Sequence, residues 1–117
     1  MRRKVLIVDD HAGFRSMVRA LLEANGFEVV GEAADGASAI ARADALRPDL
    51  VLLDIQLPDF DGFAVCHRLE RQADPPIVVL ISTRAASFYR RRLAGSSARG
   101  FIPKDELTAS GLLALLD

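Results

Sequence analysis

Two adjacent aspartates, Asp9 and Asp10, close the apolar run VLIV at residues 5–8, and a third, Asp54, closes the apolar run at residues 50–53. Ser82 ends another apolar run, and Lys104 follows one more. Carboxylates gathered within a few ångströms repel one another by roughly several kcal/mol at an effective dielectric of about 20. Such a cluster needs protons or a hard cation, and oxygen ligands with open water positions suit Mg2+. A structural zinc site is excluded, because the single cysteine, Cys66, and the two separated histidines, His11 and His67, do not supply its ligands. With Asp9 and Asp10 holding a divalent ion, Asp54 can act as a carboxylate nucleophile toward a phosphoryl group. Lys104 can then neutralise phosphoryl oxygens, and the Ser82 hydroxyl can hydrogen-bond another. Singly, each residue reads more simply as a helix cap, a strand terminator or a solvated lysine; the argument rests on their convergence.

The elements that must produce that convergence are legible as alternating short β-rich runs and longer stretches of helical periodicity. Strands are predicted at residues 5–8, 27–33, 50–53, 77–82 and 100–102, and three of the runs are almost wholly apolar, as in a parallel sheet covered on both faces. Phe14, Met17, Val18, Leu21 and Leu22 recur at helical spacing before the stop Asn25-Gly26. Further helices are predicted at 36–46, before Pro48; 62–71, before Pro75-Pro76; 85–94, before Gly95; and 106–116, with a stripe of Leu107, Leu112, Leu115 and Leu116. Five βα units with short connections imply right-handed crossovers and an α/β doubly wound sheet. Ligands of such sheets sit beyond the carboxyl ends of the strands, the edge to which Asp9, Asp10, Asp54, Ser82 and Lys104 all map.

Composition limits the function classes. A chain of 117 residues suits one domain over 1–117, with no output domain besides. The net charge of −1 gives no general electrostatic reason to bind nucleic acid or an anionic membrane. Apolar runs stop far short of a membrane span, and the N-terminus turns acidic before any secretory segment could form, so a cytoplasmic protein is expected. Cys66, in GFAVCHRL, is read as a packing residue. The run Arg90-Arg91-Arg92 lacks interleaved aromatics and is read as a solvated helix face or a protein docking surface. His11 suits Mg2+ poorly and is read as starting a helix or supporting the acids.

Across its whole length, from VLIVDDH through DLVLLDIQLPDFDGF and VVLIST to ARGFIPKDEL, the chain resembles the response-regulator receiver domains of bacterial two-component signalling, closest in look to the NarL/FixJ type. Its most specific segment carries Asp54, Pro58 and Asp61-Gly62 in the family's order. The resemblance implies a flavodoxin-like (βα)5 fold with strand order 2-1-3-4-5. It implies phosphorylation at Asp54, Mg2+ held by Asp9, Asp10, Asp54 and the Gln56 backbone carbonyl, and phosphoryl contacts from Ser82 and Lys104. Phe101 takes the place of the aromatic that reports activation, and Gln56 and Arg84 take the positions that govern phosphoryl lifetime. The implied partners are a sensor histidine kinase or histidine phosphotransfer protein, a downstream protein target and a second copy of the chain upon phosphorylation. The implied activity is self-phosphorylation and autodephosphorylation rather than turnover of an external substrate.

Two departures from the family pattern stand out. Pro103 precedes Lys104 where many members have a proline after the lysine, so no cis bond is expected there and the path into the last helix should differ. Phe101 lacks the polar tip of a tyrosine or histidine. The rival enzyme reading, a haloacid-dehalogenase-like aspartyl-phosphate phosphatase, requires an acid two residues after the nucleophile, where this chain has Gln56. A dinucleotide-binding fold requires a glycine-rich loop where this chain has DDHAGFR. A degenerate receiver that only binds partners is disfavoured because every expected site position holds a competent residue.

Overall fold

A computed structural model describes residues 2–116. Five parallel strands, β1 (Lys4–Val8), β2 (Glu28–Ala33), β3 (Leu50–Asp54), β4 (Ile77–Ser82) and β5 (Gly100–Pro103), form one sheet of order β2-β1-β3-β4-β5. The helices are α1 (Ala12–Glu23), α2 (Gly36–Leu46), α3 (Gly62–Leu69), α4 (Arg90–Ala94) and α5 (Ala109–Leu116). The doubly wound α/β architecture expected from the sequence is thus the one observed.

The wholly apolar strands follow from burial on both sheet faces, since successive side chains point to opposite sides. Leu6, Val8, Val51, Leu53 and Leu80 pack with Ala39 and Ala43 of α2 and with Val65, Cys66 and Leu69 of α3. Val5, Ile7, Leu50, Leu52, Val79 and Ile81 pack with Val18 and Leu22 of α1 and Leu112 and Leu116 of α5. β3 lies between β1 and β4, which buries all five of its residues, Asp54 included.

Several boundaries differ from the sequence reading. The fourth helical segment begins as a 3-10 turn, Ala86–Tyr89, and becomes α-helical only at Arg90–Ala94, which buries none of its five residues. A segment so exposed gains little from packing, so its tighter first turn is no surprise. The last helix starts at Ala109 rather than 106: Lys104–Glu106 form a 3-10 turn, and the Thr108 hydroxyl accepts a hydrogen bond from the Gly111 N–H at 3.0 Å, capping α5. Leu107 still packs against the core, from outside the helix. Met17 is 56% exposed and does not belong to the buried stripe of α1. Gly26 adopts φ 87°, the left-handed conformation that ends the α1 connection, and Arg47 (φ 52°) does the same after α2. No peptide bond among the described residues is cis.

Candidate functional site

The three buried polar or charged side chains among the described residues are Asp9, Asp54 and Ser82, at 0%, 2% and 0% exposure. All lie at one edge: Asp9 directly after β1, Asp54 as the last residue of β3, Ser82 as the last of β4. Lys104 follows β5 immediately. Sequence positions almost a hundred residues apart therefore meet because parallel strands bring every carboxyl end to the same side.

Lys104 is the hub. Its Nζ lies 2.5 Å from Asp9 Oδ2 and 3.1 Å from Asp54 Oδ2, and the ammonium stands 4.6 Å from the centre of the Phe14 ring. Asp9 Oδ2 has no well-angled hydrogen bond, so its approach to Lys104 is a charge contact. The other oxygens are held by backbone: His11 N–H donates to Asp9 Oδ1 at 2.9 Å, and Gln56 N–H to Asp54 Oδ1 at 3.0 Å. Burial pushes the Asp54 carboxyl above its ordinary range, with the Asp9 charge adding to the rise, against the Gln56 hydrogen bond and Lys104. For Lys104, burial works against the ammonium, but contact with Asp9 and Asp54 more than offsets it, and its pKa is raised. The cation is thereby held charged between two acids.

Asp10 points outward, its side chain 38% exposed, with His11 Nδ1 3.0 Å from its Oδ1 and 3.3 Å from Asp9 Oδ1. Asp9, Asp10 and His11 form a group whose ligand atoms lie within 4.8 Å of one another. The buried Asp9 carboxylate beside a second acid open to solvent is an oxygen donor set that fits a hard, partly hydrated dication such as Mg2+. His11 is the N-cap residue of α1, in keeping with the helix-starting role read from the sequence.

Behind the acids, the Ser82 hydroxyl accepts the Arg84 N–H at 3.1 Å and shares a hydrogen bond with the Tyr89 hydroxyl at 2.9 Å. Tyr89 packs among the rings of Phe63, Phe88 and Phe101, at centroid distances of 5.8, 5.0 and 5.9 Å. The Arg84 guanidinium carbon lies 4.3 Å over the Phe88 ring rather than over Asp54. Gln56 is exposed at the mouth of the site, in an isolated bridge with Asp61. Tyr89 escaped the sequence reading. The signal was there: it is the chain's one tyrosine, and a buried phenol needs a polar partner.

The loop after Asp54 is fixed from two sides. A Cβ on Gly62 would come 2.6 Å from the Asp54 carbonyl oxygen and 2.7 Å from Ile55 Cα, so only glycine allows α3 to start against the end of β3. The Asp59 carboxylate accepts hydrogen bonds from the Gly36 and Ala37 N–H groups at 2.7 and 2.9 Å, tying the loop to the start of α2, and these bonds lower its pKa. Of the arginine run, Arg90 and Arg91 are exposed as read, but Arg92 is engaged. Its guanidinium bonds Asp61 at 2.5 Å and covers the Phe63 ring at 4.3 Å, latching α4 to α3. Cys66 is buried and faces Ser97 Oγ at 3.6 Å, and burial pushes its thiol up, as befits a packing residue.

This geometry has close counterparts. The chain is 42% identical over 106 residues to the transcription regulator BvgA of Bordetella pertussis, covering 91% of this chain and 51% of BvgA. It therefore spans half the length of that relative. The signal receiver domain of the response regulator NarL from Mycobacterium tuberculosis superposes with a TM-score of 0.83 at 35% identity, covering 98% of this chain and 97% of that one. A CheX-CheY complex with BeF3 and Mg2+ from Borrelia burgdorferi matches with a TM-score of 0.81 at 26% identity, covering 97% and 86%. Residues 5–116 match the response regulator receiver domain family, and with the acid pair, the buried Asp54 and the bridging lysine on one sheet edge, the chain belongs to it, as a NarL/FixJ-like receiver of two-component phosphorelay signalling.

Proposed function

We propose that Asp54 accepts a phosphoryl group from a phosphohistidine donor, a sensor histidine kinase or a histidine phosphotransfer protein, and that the modified domain then changes its affinity for a protein target or a second copy of itself. The observation that carries this reading is Lys104 bridging two buried acids at one sheet edge. An Asp54 oxygen attacks phosphorus, the bond from phosphorus to the donor nitrogen breaks, and the imidazole leaves with its electron pair. Lys104 then shifts its charge from the carboxylate to a phosphoryl oxygen, and Ser82 donates to another. Asp9, Asp10, Asp54 and the Gln56 backbone carbonyl would hold Mg2+, whose chemistry is to offset the charge on the transferring phosphoryl oxygens. The buried Asp9 carboxylate beside the solvent-open Asp10 supports that donor set, as does the BeF3 and Mg2+ complex of the Borrelia relative.

In the same reading, 1–117 acts as one receiver domain in the cytoplasm. No helix among the described residues is long and apolar enough to cross a membrane. Gln56, two residues after the acceptor, and Arg84, once it leaves the Phe88 ring, set the lifetime of the aspartyl phosphate, and Phe101 responds to the movement of Ser82. Neither they nor the arginine run require a nucleic-acid contact by this domain. The test offers the protein a phosphorylated histidine phosphotransfer protein with Mg2+, and separately a phosphomonoester such as p-nitrophenyl phosphate. Transfer from phosphohistidine that stops at one phosphoryl group per chain supports the receiver reading. Sustained turnover of the monoester would instead favour the haloacid-dehalogenase-like phosphatase.

A further inference from the structure

We propose that the Tyr89 hydroxyl restrains Ser82 in the unphosphorylated protein, and that release of this bond links the phosphoryl site to residues 86–94. The inference rests on Asp54 being the phosphoryl acceptor. A serine hydroxyl has one proton and two lone pairs. In Ser82, fully buried at the end of β4, one lone pair takes the Arg84 N–H and the Tyr89 hydroxyl engages the group at 2.9 Å. Either hydroxyl can be the donor in this pair; in both cases the Tyr89 hydroxyl and the Arg84 N–H together fix the position of the Ser82 oxygen, and turning it toward a phosphoryl group on Asp54 gives up the Tyr89 bond.

The other end of the pair determines what moves. Tyr89 is 5% exposed and closes the 3-10 turn Ala86–Tyr89, while α4, which begins at the next residue, buries none of its own residues. Tyr89 is therefore the buried anchor of the whole segment 86–94, set among Phe63, Phe88 and Phe101. Phe101 has no hydroxyl and can only follow by packing. The polar half of the link falls to Tyr89, which reaches Ser82 from the helix side rather than from β5. Loss of the Ser82 bond leaves the segment held by ring packing, by the half-buried Leu93 against the core and by the exposed contact of Arg92 with Asp61.

The experiment measures beryllofluoride binding with Mg2+, which mimics the phosphoryl group on a carboxylate without covalent turnover, together with amide hydrogen exchange of residues 86–94. Wild type, Tyr89→Phe, Ser82→Ala and the double variant are compared. Tyr89→Phe keeps the ring and removes the bond that holds the Ser82 hydroxyl, so it should bind beryllofluoride threefold to tenfold more tightly than wild type. Its unliganded segment 86–94 should exchange as fast as that of liganded wild type. Ser82→Ala breaks the same bond from the other side, and should speed exchange of 86–94 equally even if Tyr89→Phe fails to fold. In the Ser82→Ala background the Tyr89→Phe gain in affinity should vanish. Unchanged or weaker binding by Tyr89→Phe, unchanged exchange in the folded variants, or a gain that persists without Ser82 would overturn the proposal. Failure of wild type itself to bind beryllofluoride would instead remove the reading of Asp54 on which it stands.

Discussion

Replacing Lys104 by methionine keeps most of the aliphatic stem and deletes the charge that Asp9 and Asp54 share. At 2.5 and 3.1 Å, each contact represents about 5–7 kcal/mol of attraction at an effective dielectric near 20. Most of that offsets the cost of burying the three charges, so the net loss should resemble that of breaking a buried ion pair, about 3–5 kcal/mol. Two acids would then be left buried without a cation, which is the arrangement that most favours a dication. In urea unfolding with a chelator present, Lys104→Met should lose stability on that scale. Saturating Mg2+ should narrow the gap to wild type by about 1.4 kcal/mol for each tenfold by which the variant binds the ion more tightly. A loss under about 1 kcal/mol in chelator would mean that water, not Lys104, screens the acids. A gap that Mg2+ leaves unchanged would mean that the Lys104 charge does not oppose binding of the ion.

Three further outcomes follow from the same geometry. Because burial holds the Asp54 carboxyl above its ordinary pKa of 3.8, the folded chain keeps a proton that the unfolded chain releases. Wild type should therefore lose stability relative to Asp54→Asn as pH rises from below 3.8 through the folded value, measured in chelator; a relative gain would show that pairing with Lys104 outweighs burial. Asp10→Asn should weaken Mg2+ binding, yet leave metal-free stability unchanged or slightly higher, because Asp10 is partly exposed; a metal-free loss above about 1 kcal/mol would make Asp10 a structural acceptor. Arg84→Ala should speed loss of the phosphoryl group, after donor removal at constant Mg2+, by roughly threefold to tenfold, about 0.7–1.4 kcal/mol of barrier. Unchanged decay would mean that Arg84 stays on Phe88.

The strands and the acids were legible for one reason: a run such as LVLLD is apolar on both faces, so the polar residue that ends it is conspicuous. Parallel topology then placed every such residue on one edge. What the sequence concealed depends on weak local signals. In residues 85–94 the helical spacing suggested one helix, yet little of the segment is buried and its first turn tightened to 3-10. Within it, Tyr89 went unnoticed beside the three arginines that follow it, and its partner Ser82 is seven residues earlier. The start of α5 was misjudged because Leu107 is apolar and packs on the core, although Thr108 was the capping residue. Arg92 looked solvated because its partner, Asp61, comes from a loop 31 residues away.

The central claim is that Asp54 itself carries the phosphoryl group. It is tested most directly by treating the protein with acetyl phosphate and Mg2+, reducing the product with borohydride, and locating the modified residue by peptide mass spectrometry. An aspartyl phosphate is reduced to homoserine, so the account predicts homoserine at position 54 in a chain that gained one phosphoryl group, and none when Mg2+ is chelated or in Asp54→Asn. Homoserine at another aspartate, or equal phosphoryl incorporation by Asp54→Asn, would contradict it.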